Sequence, residues 1–257
     1  MAVYTTEITS DSIPSDNPLH QRLLKPYYEA EKIVHGDLLE LGCGEGRGVD
    51  LLAPKCKSFT AIDKISDVIE RLAAAHPAHT FIQANIPPIS QCKNESFDFI
   101  VSFQVIEHIK ADALFLSEIA RILKPGGKAL ITTPNIKMTL SRNPWHIREY
   151  TGKELKTLAE KYFNKVTMQG IAGNEKVMQY YEMNKKSVHR IMKWDILNLQ
   201  YLLPAAILKI PYEILNRRNR NKLSSYDDRL VMEIQHADYE VSENADTSLD
   251  LFCILEK

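Results

Sequence analysis

The sequence of 257 residues has little net charge, few cysteines and no long apolar run. Its formal net charge of −1 gives no overall attraction to nucleic acid or to an anionic membrane, which leaves only a local patch to consider. The four cysteines show no CxxC spacing, so we predict neither a zinc site nor a disulfide framework, and we expect a reduced compartment. No segment reaches the roughly 20 apolar residues of a spanning helix, and the N-terminus lacks the pattern of an export signal. These absences favour a cytoplasmic protein.

Apolar residues make up 44% of the chain, and between residues 38 and 133 they form short runs that alternate with helical segments. Runs such as FDFIVSF and KALITT are apolar on both faces, as buried parallel strands are. The alternation predicts an α/β fold with a mostly parallel sheet and helices on both faces. We expect residues 1–17 to be a flexible lead-in and residues 18–257 to be one domain. Residues from about 174 to 223 do not fit the alternation, so we interpret them as a helical insertion before the last strand, 249–255.

The stretch DLLELGCGEGRG places glycines at every second position just after an apolar run. Ligands bind beyond the carboxyl ends of strands in open α/β sheets, so this turn is expected to hold a cofactor. A dinucleotide-binding turn, GxGxxG, needs a small residue at position 47, where this chain has Arg47. Asp63 ends the next apolar run, FTAID, where a carboxylate can accept hydrogen bonds from both ribose hydroxyls. The pattern favours an adenosyl cofactor other than a nicotinamide dinucleotide.

With these and later motifs in order, the chain resembles the class I (Rossmann-like) S-adenosylmethionine-dependent methyltransferases. An acid followed by GxGxG is their first motif, and FIQANIPPIS, ESFDFIVSFQVIEHI and ILKPGGKALITTPN resemble their third-, fourth- and fifth-strand segments. The resemblance covers residues 37–135 and the final LDLFCILEK, and it points to the small-molecule, ubiquinone-biosynthesis-methyltransferase-like branch. It implies a seven-stranded sheet whose last strand runs antiparallel, with S-adenosylmethionine as the cofactor.

The resemblance also implies which residues bind the cofactor. Glu40 would orient the methionine end, Asp63 would hold the ribose, and Asn85 would face the adenine amino group. The full set is Glu40, Gly42, Cys43, Gly44, Gly46, Asp63, Lys64, Asn85, Ile86 and Gln104. The alternative interpretation is that the glycines only make a tight turn and that Asp63 only caps a helix.

Two of the eight histidines are candidates for a catalytic base. A hydroxyl acceptor must lose its proton, and a histidine suits that role near neutral pH. His108, in QVIEHI, follows the fourth strand; the alternative is that it caps the next helix or packs against the cofactor loop. His146 lies in a loop after the fifth strand, which is expected to form the acceptor pocket from Trp145, His146, Arg148, Glu149 and Tyr150. The alternative there is a purely structural loop, and no metal site is predicted.

The segment 194–222 joins apolar and aromatic residues to a basic run, Arg217, Arg218, Arg220 and Lys222. The favoured interpretation is a lid helix over the substrate cleft, which a helix starting at Asn17 could also cover. Peripheral contact with an anionic membrane and contact with RNA are the alternatives. Prolines interrupt the run, so it is not expected to span a membrane. The motif NIPP stands in the wrong place for amino methylation of DNA, so no DNA partner is expected.

We therefore predict an enzyme that transfers a methyl group from S-adenosylmethionine to a small-molecule acceptor, at oxygen rather than at nitrogen or carbon. The alternatives are a lipid, quinone-like or RNA acceptor, and a protein that binds S-adenosylmethionine without turning it over. A nicotinamide oxidoreductase is disfavoured by Arg47.

Overall fold

The structure is a computed structural model that describes residues 13–195 and 197–257. The strands within these residues are β1 Asp37–Leu41, β2 Ser58–Asp63, β3 Thr80–Gln83, β4 Phe97–Phe103, β5 Leu123–Pro134, β6 Lys165–Gly173, β7 Tyr239–Ser242 and β8 Asp250–Glu256. The helices there are α1 Asn17–Glu31, α2 Val49–Leu52, α3 Ser66–Ala75, α4 Asp112–Ile122, α5 Gly152–Ala159, α6 Glu175–Met192, α7 Leu199–Leu202, α8 Ala205–Tyr226 and α9 Asp228–Glu233. Short 3-10 helices lie at Pro14–Asp16, Ala53–Lys55, Ile106–His108, Ile136–Met138, His236–Asp238 and Ala245–Thr247.

In the described part of the chain, the strands form one eight-stranded sheet in the order β3-β2-β1-β4-β5-β8-β6-β7. Strands β1 to β5 run parallel to one another. Strand β8 is antiparallel to both of its neighbours, β5 and β6, and β7 is antiparallel to β6. The predicted α/β class, the mostly parallel sheet and the antiparallel last strand are confirmed.

The predicted number of strands, seven, is wrong, because β7 adds an eighth at the edge of the sheet. This strand is four residues long and pairs with Gly170–Gly173 at the far end of β6. A run of four residues is shorter than a typical strand, so its alternation does not stand out in the sequence.

Helices cover both faces of the sheet, as predicted. Leu38 of β1 belongs to the core on the α1 and α3 side, with Tyr27 and Leu72, whereas Leu39 belongs to the core on the α4 side, with Phe115. Both leucines are fully buried. A strand that is buried on both faces reads as a continuous apolar run, which explains the pattern in the sequence.

The strand order reverses between β1 and β4, because the chain leaves β1 for β2 on one side and later returns to β4 on the other. Connections that leave in opposite directions open a crevice at the carboxyl ends of the two strands, where ligands bind. The glycine turn follows β1 and the QVIEHI segment follows β4, so both lie at this crevice.

A buried carboxylate holds the short helix Pro14–Asp16 against α8. Asp16 is 1% exposed and accepts hydrogen bonds from Arg217 at 2.8 and 3.0 Å and from Arg220 at 3.0 Å. Two guanidinium groups compensate for burying one carboxylate. The predicted flexible lead-in is therefore packed over residues 13–17, and residues 1–12 lie outside the described residues.

The segment after β6 is helical in its described residues, with α6, α7 and α8 between residues 175 and 226. Helix α8 packs on α6, on α9 and on the short helix Pro14–Asp16. The Tyr181 hydroxyl of α6 donates to the Met138 carbonyl at 3.1 Å, which ties the segment to the loop after β5. None of the described helices has both the length and the apolar character that a membrane crossing needs. The cytoplasmic location stays a prediction.

Candidate active site

The glycine turn after β1 has a backbone that larger residues would not adopt easily. Gly42, Gly44 and Gly46 have φ of +79°, +49° and +83°, the left-handed region that favours glycine. A Cβ on Gly42 would overlap Val105, and a Cβ on Gly46 would overlap Leu72. A Cβ on Gly44 would meet nothing within 4 Å, because Gly44 borders a cavity. The turn is tight where it packs and open where a ligand can approach.

Asp63, at the end of β2, is fixed by the same turn. Its Oδ2 accepts a hydrogen bond from the Gly44 N–H at 2.9 Å, and its Oδ1 accepts one from the Ile65 N–H at 3.1 Å. The residue is 8% exposed and faces the cavity. Each carboxylate oxygen has two lone pairs, so Asp63 keeps the capacity to accept hydrogen bonds from ligand hydroxyls.

This cavity, of about 290 Å³, lies over the carboxyl ends of β1 to β4, and we call it the strand-end cavity. The predicted cofactor residues that line it are Gly42, Gly44, Asp63, Lys64, Asn85, Ile86 and Gln104. Glu40 and Cys43 are buried beneath the turn instead, and Gly46 packs against Leu72. Burial also raises the pKa of the Cys43 thiol, which keeps it protonated.

A second cavity, of about 280 Å³, lies between the loop after β5 and the helices α1, α6 and α8. We call it the helix-covered cavity. His146 and Glu149, two of the residues predicted to form an acceptor pocket, line this cavity. Gln104 and His108 line both cavities, so the two spaces meet just beyond β4. Two ligands bound in these cavities would therefore meet beside Gln104 and His108.

Residues 39–131, which contain the glycine turn, Asp63 and His108, match the family model described as a methyltransferase domain. A probable S-adenosylmethionine-dependent methyltransferase of Mycolicibacterium smegmatis is 36% identical over 137 residues, which cover 51% of this chain and 52% of that protein. A ubiquinone biosynthesis O-methyltransferase of Hydrogenovibrio crunogenus is 29% identical over 124 residues, which cover 46% of this chain and 50% of that protein. The chain spans about half the length of the curated relatives it matches.

Solved structures share the fold over nearly the whole chain. A SAM-dependent methyltransferase of Thermotoga maritima, described as a possible histamine N-methyltransferase, has a TM-score of 0.56 at 17% identity and covers 93% of this chain and 91% of its own. A SAM-dependent methyltransferase of Archaeoglobus fulgidus has a TM-score of 0.55 at 15% identity and covers 94% of both chains. Residues 39–131 are thus similar to a methyltransferase domain and to proteins described as S-adenosylmethionine-dependent methyltransferases, and the fold of the chain is shared with solved methyltransferases. S-Adenosylmethionine is the cofactor that the names of these relatives give for them.

Glu40 tests whether the site fits S-adenosylmethionine. Its Oε1 accepts a hydrogen bond from the Tyr27 hydroxyl at 2.7 Å, whereas its buried Oε2 has no hydrogen-bond partner among the described residues. Burial raises the pKa of Glu40 to about 7, against the opposing effects of the Tyr27 hydrogen bond and of Arg47. A buried carboxylate oxygen without a donor suits a cationic ligand group, such as the ammonium of the methionine end. With the open space at Gly44, the residues present fit this cofactor.

Beyond β4, the fold brings Glu107, His108 and His146 together. One potential ligand atom from each lies within 4.8 Å of those of the other two. The N–H groups of Ile147 and Arg148 donate to the Glu107 carbonyl at 2.8 and 3.2 Å, so main-chain bonds hold the two segments side by side. The two histidines predicted as base candidates are neighbours, with ring centroids 5.0 Å apart. We call these three residues the junction cluster.

The two histidines differ in their hydrogen bonds. His108 Nδ1 lies 2.9 Å from the Trp145 carbonyl oxygen, which can only accept, so Nδ1 carries the proton and Nε2 the lone pair. His146 Nδ1 donates to Glu149 Oε1 at 2.6 Å, and its Nε2 accepts from Asn143 Nδ2 at 2.8 Å. The main-chain N–H of Trp145 donates to Asn143 Oδ1 at 3.1 Å. This bond orients the Asn143 side-chain amide so that its nitrogen lies toward His146. Because Asn143 uses the lone pair of His146, this amide would have to move before His146 could act as a base.

Glu107 is the buried member of the junction cluster, at 1% exposure. Its Oε2 accepts a hydrogen bond from the Thr133 hydroxyl at 3.0 Å. Burial raises the pKa of Glu107 to about 7, and nearby His146 opposes that rise. A carboxyl group with a pKa near neutrality is typical of functional sites. Glu107 was not among the site residues predicted from the sequence.

Trp145, Arg148 and Tyr150 were predicted to line the acceptor pocket, but they are not among the lining residues of the helix-covered cavity. The Lys209 ammonium of α8 lies 3.5 Å from the centroid of the Trp145 ring. Arg148 and the Tyr150 hydroxyl both donate to Asp112 Oδ2 at 2.9 Å. These side chains hold the loop in place, because they turn toward α4 and α8 while His146 and Glu149 turn inward.

Arg22 of α1 lines the helix-covered cavity and was missed in the sequence. Its Nε donates to Asp250 Oδ2 at 2.6 Å, and its Nη2 also bonds Asp250. Tyr180 and Tyr181 of α6 and Tyr212 of α8 line the same cavity, and burial raises the pKa of Tyr212 to about 12. From the sequence, a helix starting at Asn17 was expected to cover a cleft. That expectation was the one indication that Arg22, which lies on this helix, could line the cavity. The tyrosines carry no local signal.

Proposed function

We propose that the protein transfers a methyl group from S-adenosylmethionine to a small molecule held in the helix-covered cavity. The observation that carries this proposal is that Gln104 and His108 line both cavities. When bound, S-adenosylmethionine supplies a methyl group on a positively charged sulfur, which a lone pair of the acceptor displaces. The protein contributes position, because it holds the acceptor at the junction in a space that the helices shield from water.

The strand-end cavity would hold the cofactor through contacts with its separate parts. Asp63 would accept hydrogen bonds from the ribose hydroxyls, and Asn85 and Ile86 would contact the adenine. Glu40 would attract the ammonium group from beneath the turn, while Gly44 leaves room for close approach. The burial and hydrogen bonds of Asp63 and the unpartnered oxygen of Glu40 support these roles.

We infer that the acceptor atom is oxygen, because the junction cluster is suited to removing a hydroxyl proton. His108 Nε2 takes this proton, and the Trp145 carbonyl stabilises the imidazolium through Nδ1–H. The O-methyltransferase among the relatives supports the same acceptor atom.

Helices α7 and α8 would form a lid over the acceptor. Arg142 Nη1 donates to the carbonyl oxygens of Gln200 and Leu203 at 2.6 and 3.2 Å, and Lys209 lies over the Trp145 ring. These contacts join the lid to the loop that carries His146. Motion of the lid would therefore change the position of a cluster residue, which couples closure to catalysis.

The test is incubation of the protein with methyl-labelled S-adenosylmethionine and separate extracts of small metabolites, lipids and RNA. We expect label in one class of small molecule, in a bond to oxygen. Label in RNA would contradict the proposed acceptor, and no label in any fraction would favour a binding protein without turnover. A parallel calorimetric titration with NAD should give no binding, since Arg47 replaces the small residue of a dinucleotide turn.

A second candidate is an acceptor taken from an anionic lipid surface, and exposed apolar side chains in the segment 194–215 support it. Trp194, Leu202 and Ile210 are 84%, 73% and 70% exposed. The same segment includes Leu197, Leu199, Tyr201, Ile207, Ile214 and Leu215, all exposed. Exposed patches of this kind mark interaction sites. The exposed cations Lys193 and Arg218 belong to the same segment and would complement anionic headgroups.

Vesicle flotation separates this candidate from a lid that only covers a small molecule. We expect the protein to float with vesicles that contain phosphatidylglycerol and to remain behind with phosphatidylcholine alone. The triple substitution W194S, L202S and I210S should abolish flotation. The matched control is Leu114→Ser, an exposed leucine of α4, which should float normally. Flotation that the triple variant retains would contradict this candidate. RNA binding is disfavoured because Asp16 pairs with Arg217 and Arg220 of the basic run.

A further inference from the structure

The junction cluster has two histidines and a carboxylate that meet from two segments of the chain. Glu107 and His108 belong to the short helix Ile106–His108, and His146 belongs to the loop after β5. All three line the helix-covered cavity, and His108 also lines the strand-end cavity. The main-chain bonds from Ile147 and Arg148 to Glu107 fix the approach of the two segments without help from the side chains.

Each histidine is oriented from behind by an acceptor on Nδ1. The acceptor for His146 is the Glu149 carboxylate at 2.6 Å, and the acceptor for His108 is the Trp145 carbonyl at 2.9 Å. Glu149 is itself held by the Thr139 hydroxyl. A carboxylate or carbonyl on the remote ring nitrogen is the arrangement that orients metal-binding histidines and strengthens them as ligands. Because Nδ1 of each ring is engaged in this way, Nε2 is the nitrogen with which each histidine would bind an ion.

Glu107 completes the set as a buried carboxylate. Thr133 donates to Oε2, so one oxygen is oriented by the protein and the carboxylate faces the histidines. A cation would compensate for burying this charge more fully than a hydroxyl does. Two imidazoles and one carboxylate on one side form a ligand set of zinc enzymes and of first-row transition metals, whereas magnesium and calcium prefer oxygen ligands alone.

We propose that Glu107, His108 Nε2 and His146 Nε2 bind a divalent transition-metal ion at the junction of the two cavities. Three protein ligands leave coordination positions open, and these open positions face the helix-covered cavity that the ligands line. An acceptor hydroxyl bound there is acidified as metal-bound water is. With the ion bound, the hydroxyl would release its proton to solvent water instead of to His108, whose Nε2 the ion occupies. This catalytic part rests on the proposed function, whereas metal binding does not.

Asn143 has to give way when the ion binds. Its Nδ2 donates to His146 Nε2 at 2.8 Å, so amide and ion compete for one lone pair. The ligand atoms, which lie within 4.8 Å of one another, also have to close to about 3.4 Å for tetrahedral metal–nitrogen bonds of about 2.1 Å. Removing the Asn143 amide should therefore strengthen metal binding, an outcome opposite to that of removing a ligand.

The test is a calorimetric titration of untagged, chelator-treated protein with zinc chloride. One ion per chain is expected, and H146A and E107Q should each weaken binding by about tenfold or more. N143A should tighten binding by a few-fold. The control is His189→Ala, an exposed histidine of α6, which should bind zinc as the unaltered protein does. Equal binding by H146A and the unaltered protein would overturn the proposal, as would the absence of any zinc binding.

Cobalt in the unaltered protein gives a second test that needs no variant. Co²⁺ should produce two exchangeable, strongly shifted proton signals, one from the Nδ1–H of each ligating histidine. Absence of these signals with cobalt added would overturn the site. S-Adenosylmethionine affinity and methyl transfer are measured separately on the same preparations. Cobalt-loaded protein that shows both signals but transfers no methyl group would contradict the proposed function and not the metal site. Methyl transfer that a chelator leaves unchanged would contradict the catalytic role of the ion, and His108 would then remain the base.

Discussion

The strand-end cavity and the helix-covered cavity are assembled in different ways. The first is lined by turns that directly follow β1 to β4, and its lining residues lie within 39–131, the part that matches the family model. The second combines α1, the loop after β5, α6, α8 and residues near β8, so it draws on both ends of the chain. A turn after a parallel strand has a fixed place at the sheet edge, whereas a distant helix reaches its place through tertiary contacts. The cavity proposed for the cofactor is thus encoded locally, and the cavity proposed for the acceptor is formed by long-range packing.

The largest expected effect isolates the acceptor side. His146→Gln should lower the rate of methyl transfer by about 10² to 10⁴-fold, because a cluster residue that positions or activates the acceptor is lost. S-Adenosylmethionine affinity should stay within about twofold, since His146 lines the helix-covered cavity and not the strand-end cavity. Single-turnover kinetics and calorimetry measure the two quantities. An equal loss of cofactor affinity would mean that the two sides are not separate.

The next effect isolates the cofactor side. Asp63→Ala should weaken S-adenosylmethionine binding by about 100-fold, because hydrogen bonds to a charged group contribute roughly 1.5–3 kcal/mol each. The substitution also releases the Gly44 and Ile65 N–H groups that Asp63 holds. Calorimetric titration measures the change. Asp67→Ala, an exposed carboxylate on α3, is the control and should bind normally. Unchanged affinity in Asp63→Ala would remove this residue from the cofactor site.

A smaller effect concerns pH and compares the two buried glutamates. The pKa of Glu40 is about 7 in the folded chain against an ordinary 4.5, so the folded state holds its proton more tightly. Its contribution to stability is therefore present below pH 4.5 and is lost as pH rises through 7. Cofactor binding should tighten several-fold between about pH 6 and 8, because a cationic ligand favours the ionised carboxylate.

Calorimetry of Glu40→Gln should show no such pH dependence, whereas the exposed control Glu70→Gln should retain it. Glu107→Gln should retain it too, because Glu107 lines the helix-covered cavity and not the strand-end cavity. Loss of the dependence in Glu107→Gln would show that the two sides are coupled.

The smallest effect concerns a residue that the loop sequence places in the acceptor pocket. Arg148→Ala should change the rate of methyl transfer by less than about threefold, because Arg148 pairs with Asp112 at the surface and such pairs contribute little. Steady-state kinetics measures it beside His146→Gln. A large loss of rate for Arg148→Ala would return this side chain to the pocket wall.

The sequence predicted the sheet and the strand-end cavity because their signals are local. Continuous apolar runs mark strands buried on both faces, and the turns after them fall at one edge whatever lies elsewhere in the chain. Gly44, Asp63 and Asn85 could be assigned to a common cavity on that basis. Strand β7 was not predicted because an edge strand of four residues is too short to show a clear alternation of apolar and polar residues.

The acceptor side was predicted only in outline. His108 and His146 were singled out, yet their meeting depends on main-chain bonds from the loop to Glu107, which no spacing in the sequence indicates. Arg22 reaches the cavity only because α1 crosses the sheet edge beside Asp250. Within the loop, His146 lines the helix-covered cavity, whereas Arg148 points away from it. The direction of Arg148 depends on its hydrogen bond to Asp112 rather than on local propensity. Long-range partners of this kind are absent from a single sequence.

Hydrogen exchange with and without S-adenosylhomocysteine tests the division between the two sides most directly. The account predicts slower exchange in the glycine turn 42–48, at 63–65 and at 84–86, with α8 and the loop 139–149 unchanged. Protection of α8 and the loop without protection of the glycine turn would contradict it.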